Sequence, residues 1–78
     1  MNMTTPVSTL REGFKGIVKN IDLEPIMKKR LIELGITPET KLTVVNKQKS
    51  GYMIIATENF KLAFDSYIAK HIIVQPIN

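Results

Sequence analysis

Apolar residues recur along this chain at two different periods, and the change of period marks its one good helix. Met27, Leu31 and Leu34 lie at i, i+4 and i+7, which stacks them on a single helical face. Lys28, Lys29 and Glu33 fall off that stripe, on the side that stays in water. Pro25 suits a first turn, where a missing N–H costs nothing, and Asp22 and Glu24 favour the positive end of the helix. Gly35 accepts positive φ, and Ile36 can fold back onto Leu31 as the clasp of a Schellman ending. Pro38 then prevents a restart, so the pattern predicts a helix over about residues 24–34.

Elsewhere the period is two. Phe14 to Ile21 reads as a strand; Gly16 inside it predicts a bulge, a bend or a close backbone approach. Leu42 and Val44 alternate with Lys41 and Thr43, and the polar run 47–51 turns the chain into a strand over 52–57. Glu58-Asn59 is a tight link to Phe60, Leu62 and Phe64, which alternate with polar or small residues and imply a second hairpin. Ser66 to Lys70 fits one helical turn capped by Asp65 or Ser66, and Ile72 to Pro76 is a last strand. Residues 1–9 read as a flexible lead-in, with Leu10 the first side chain to touch a single domain over 10–78. The expectation is a mainly β fold in which five short strands close into a small barrel. The helix sits between strands one and two and covers a barrel end with Met27, Leu31 and Leu34.

Size and charge narrow the field. The 78 residues hold one core, and the absence of cysteine removes disulfides, thiolate ligands and thiol nucleophiles. The first residues lack a signal-peptide pattern, and no run approaches the length of a membrane span, which predicts a cytoplasmic protein without membrane insertion. The net charge of +4 invites an anionic partner, but the eleven Lys and Arg residues are spread along the chain. A solvated face explains them better than a nucleic-acid footprint, which needs clustering.

The chemistry of a reaction centre is missing from the pattern. His71 is the only histidine; it reads as a metal ligand, a proton shuttle or a strand-end residue facing water. Asp22 and Glu24 serve the helix start better than a metal, and Met1 and Met3 are soft ligands of the kind suited to copper(I). No histidine base with an orienting acid and no phosphate-cradling glycine loop is evident, so no enzyme, metal site or cofactor is expected. What remains is contact surface. Tyr52 and Met53 beside Lys47 and Lys49 combine apolar area with charge, the alternative being that Tyr52 or Met53 packs inward. Ile26 and Ile32 on the helix shoulders form a second candidate patch, with core packing as the alternative.

The segment Arg30-Leu31-Ile32-Glu33-Leu34-Gly35-Ile36-Thr37-Pro38, between a leading strand and a run of hairpins, resembles the ferrous iron transport protein A (FeoA) family. Gly13, Gly16-Ile17, Leu42-Thr43-Val44-Val45, Lys61-Leu62-Ala63-Phe64 and Ile72-Ile73-Val74 agree in order and spacing, so the resemblance spans Leu10 to Ile77. Two departures stand out. Pro38-Glu39 replaces the Pro-Gly of many members, which a type I turn accepts without positive φ, and Ser50-Gly51-Tyr52 replaces a Gly-Asp-Pro hairpin tip.

The resemblance implies an SH3-like five-stranded barrel acting as an accessory protein of bacterial ferrous iron transport. It would work by contact with the cytosolic part of the membrane transporter, ferrous iron transport protein B. The same barrel also ends iron- or manganese-dependent repressors, a use disfavoured without a winged helix ahead of it. The alternative function is a small-barrel nucleic-acid binder, whose affinity would fall steeply with salt. Direct ferrous sensing would shift the melting temperature with iron; with a single histidine no shift is expected.

Overall fold

The computed structural model describes residues 3–77; Met1, Asn2 and Asn78, at the ends of the expected lead-in and domain, lie outside them. In chain order the elements are β1 (Thr5–Pro6), a 3-10 turn (Val7–Thr9), β2 (Lys15–Ile21), α1 (Pro25–Glu33) and β3 (Lys41–Lys47). They continue with β4 (Met53–Ala56), β5 (Lys61–Phe64), α2 (Ser66–His71) and β6 (Ile72–Ile77). All pairings are antiparallel, and the strands form one sheet in the order β1-β6-β2-β3-β4-β5.

The helix ends as its sequence predicts. Gly35 has φ +103°, its N–H donates to the Ile32 carbonyl at 3.0 Å, and the Ile36 N–H donates to the Leu31 carbonyl at 2.9 Å. These are the two bonds of a Schellman motif, and Leu31 and Ile36 are both buried beneath it. The rest of the expected lid is not buried. Met27 is only partly covered and Leu34 remains 50% exposed, because the anchoring is done at the helix C-terminus and the apolar stripe beyond Leu31 overhangs the core.

The lead-in also differs from expectation. The chain joins the sheet at Thr5, which pairs with Val74, and the following turn buries Val7 completely. The sheet therefore has six strands rather than five, and the ordered domain begins before Leu10. A two-residue strand is invisible to periodicity, which needs several alternations. β1 and β5 do not pair, so the seam between them is not closed by backbone hydrogen bonds. Instead α2, capped by the Asp65 carboxylate accepting from the Ile68 N–H at 2.8 Å, packs against the 3-10 turn and β1 on one side and β5 on the other.

Gly16 answers to close approach. A Cβ there would lie 3.1 Å from Val74 Cβ and 3.3 Å from Leu10 Cδ1, because β2 runs between β6 and β3 at the crowded middle of the sheet. Bulges occur elsewhere, at Lys19 in β2 and Val45 in β3. They bend the strands around a core made largely of Val18, Leu42, Val44, Ile55, Phe64 and Ile72.

The turn after the helix is a second correction. Thr40 N–H donates to the Thr37 carbonyl at 3.0 Å, and Glu39, at the third position of that turn, has φ +75°. This is a type II turn, not type I. Its conformation is over-determined: Glu39 N–H donates to the Val18 carbonyl at 2.7 Å and Val18 N–H to the Thr40 carbonyl at 2.8 Å. Those two bonds extend β2 onto the turn and leave Glu39 in the left-handed region despite its Cβ.

Candidate interaction surface

The β3–β4 hairpin tip is built by Gln48 N–H donating to the Tyr52 carbonyl and Gly51 N–H donating to the Gln48 carbonyl, each at 2.9 Å. Gly51 takes φ +94°, as a turn followed by a left-handed residue requires. A Cβ on Gly51 would lie 2.8 Å from Ser66 Cβ, so the tip rests on the start of α2 and is held by it. Lys49 is exposed and Tyr52 is 39% exposed, leaving both available to a partner on a supported loop.

Lys47 and Met53 do not join them. The Lys47 Nζ donates to the carbonyls of Ser8 (2.6 Å) and Leu10 (3.2 Å), and its backbone N–H donates to Glu12 Oε2 at 2.8 Å. Its charge therefore ties the N-terminal segment to β3. Met53 is fully buried, because it opens β4 opposite Phe64 with its side chain on the core face; the inward alternative holds. On α1, Ile26 is 76% and Ile32 is 40% exposed, so neither packs into the core. Six residues apart, they stand about 120° apart around the helix, on opposite shoulders of the Met27–Leu31–Leu34 stripe, and form no common patch.

His71 ends α2, with Nδ1 2.7 Å from the Tyr67 carbonyl oxygen and its ring centroid 4.5 Å from the Tyr67 ring. It thus packs against its own helix. No group of three or more His, Asp or Glu that could hold a metal ion occurs among the described residues.

Two concavities lie near the C-terminal end of α1. One is a polar cleft of about 400 Å³ between the 35–41 turn and the Thr57–Phe60 hairpin, with Glu39, Lys41 and Glu58 on its walls. Across the turn, Lys19 Nζ meets Glu39 Oε2 at 2.8 Å. The other is an apolar groove of about 210 Å³ between Met27, Arg30 and Leu31 of α1 with its C-cap Leu34 on one side and Leu62, Ala63 and Ile68 on the other. Sequence reading missed this groove because it assigned Met27 and Leu34 to the core. The available signal was the width of the helix stripe, more than one buried leucine needs.

The FeoA domain family matches residues 5–76. The chain belongs to the FeoA family. A Methanocaldococcus jannaschii protein assigned to Fe(2+) transport protein A is 34% identical over 70 residues, which cover 90% of this chain and 84% of that protein. The crystal structure of an iron uptake regulatory protein, FeoA, superposes with a TM-score of 0.84 at 28% identity, covering 96% of this chain and 99% of the other. A zinc complex of Stenotrophomonas maltophilia FeoA, described as a prokaryotic SH3 domain protein, gives a TM-score of 0.71 at 22% identity over 94% of this chain and 89% of that one. The mainly β fold is thus SH3-like, and the FeoA family associates this chain with ferrous iron transport. No helix among the described residues is long and apolar enough to cross a membrane.

Proposed function

We propose that this FeoA-family protein is a cytoplasmic accessory protein of ferrous iron transport, acting through contact with the cytosolic part of the membrane transporter, ferrous iron transport protein B, and not through catalysis. The observation that carries the reading is the nearly full-length family match joined to a surface that offers contact groups without a ligand cluster among the described residues. The hairpin tip is the contact face: Lys49 supplies charge, Tyr52 supplies aromatic area, and the Gly51–Ser66 contact limits the order that binding must impose.

Co-purification with the transporter's cytosolic segments, in each nucleotide state, tests this reading. Wild-type protein is expected to associate, and a Lys49→Glu, Tyr52→Ala double variant to associate at least about tenfold more weakly. Absence of wild-type association in every state would refute the function. Undiminished binding by the double variant would refute the hairpin tip as the contact face.

A further inference from the structure

We infer that the unpaired edge of β5 and the apolar groove beside it form a docking site for an extended peptide segment of a partner protein, one with alternating apolar residues and a flanking carboxylate. The edge follows from hydrogen-bond parity. Thr57 N–H donates to the Phe60 carbonyl at 2.8 Å, and the register continues as Ala56↔Lys61, Ile55↔Leu62, Ile54↔Ala63 and Met53↔Phe64. Hydrogen-bonded pairs alternate along an antiparallel ladder, so Leu62 and Phe64 bond to β4 while the N–H and C=O groups of Lys61 and Ala63 point away from it. β5 ends the sheet, and those outward groups meet no backbone partner among the described residues.

An unpaired edge alone is common, and two further features say what covers this one. The groove against Ala63 is apolar on both walls, with Met27, Leu31 and Leu34 facing Leu62 and Ile68. Half-buried Met27 and half-exposed Leu34 continue the stripe of α1 toward solvent, more apolar surface than its own anchoring uses. A strand of about four residues laid along Lys61–Phe64 would send alternate side chains into that groove while its backbone bonds to Lys61 and Ala63. The third feature is charge. Arg30 lines the groove, no acidic side chain lines it, and the ion pair among the described residues is Lys19–Glu39, so the Arg30 guanidinium has no carboxylate there. A partner Asp or Glu beside the apolar residues would supply one in the planar geometry that guanidinium favours.

The test is selection of random linear peptides from a displayed library against the full-length protein, followed by hydrogen exchange with the enriched peptide bound. Enriched peptides are expected to alternate apolar residues beside Asp or Glu and to slow exchange of the Lys61 and Ala63 amides. Arg30→Glu, an exposed change, should weaken the acidic peptide about tenfold and improve its lysine-flanked counterpart. Ala63→Pro, which removes an outward N–H and no bond to β4, should weaken both peptides about tenfold or more. No enrichment, helical binding in the groove, unprotected Lys61 and Ala63 amides, or indifference to Arg30→Glu would each overturn the inference. The library carries no transporter sequence, so its failure and failure of the transporter association are separate results.

Discussion

Replacing Glu39 isolates the most strained backbone position of the fold. Its φ of +75° brings the Cβ against the backbone, a cost of about 1–2 kcal/mol that glycine escapes. Glycine loses about 0.5–1 kcal/mol through its freer unfolded chain. The net advantage of Glu39→Gly over Glu39→Ala is therefore about 0.5–1 kcal/mol, the reverse of their order at an ordinary position. Both variants lose the pair with Lys19, where the Glu39 side chain is 69% exposed, so that loss is about 0.5 kcal/mol or less and cancels between them. Urea denaturation and thermal melting of the two variants measure the difference directly, with the glycine variant melting about 2–8 °C higher. An alanine variant as stable as the glycine variant would refute the assignment of strain to this turn. Glu39→Asn, whose side chain tolerates the left-handed region, should fall between them.

Three further outcomes follow from the packing. Met53→Ala should cost about 2–4 kcal/mol, seen as a lower urea midpoint, because the side chain is fully buried opposite Phe64. Lys47→Met keeps the aliphatic stem but strands the carbonyls of Ser8 and Leu10; a loss of about 1–2 kcal/mol is expected, with faster amide exchange at Leu10. Gly51→Ala places a Cβ at φ +94° and 2.8 Å from Ser66 Cβ, and should destabilise by about 1–3 kcal/mol; Gly13→Ala, with open space around it, should cost less by the same melting assay.

Local chemistry legible in the sequence reappears where it is written. Pro25, Gly35 and Ile36 delimit α1, Asp65 caps α2, and the alternation in 41–44 and 60–64 orders the hairpins. The candidate surface was less legible. Lys49 and Tyr52 remain outside, but Lys47 and Met53 were drawn elsewhere by partners far along the chain: Ser8 and Leu10 for one, Phe64 for the other. A residue's neighbours in sequence do not reveal which carbonyls or which core face will claim it. The groove behind β5 was hidden for the same reason, since the stripe of α1 fits a buried lid and an exposed wall equally well.

Sequence alone determined the period of the longer elements, the helix stops and the family, because these rest on φ preferences and side-chain spacing within a few residues. The tertiary structure alone decided that Thr5–Pro6 joins the sheet, that Glu39 adopts a left-handed conformation and that β5 ends the sheet with no second strand beside it. The first two are set by long-range hydrogen bonding, β1 to β6 and Glu39 to Val18, and the third by the lack of any strand paired to β5 beyond β4. Backbone groups are the same at every residue, so their long-range pairing leaves little trace in residue type.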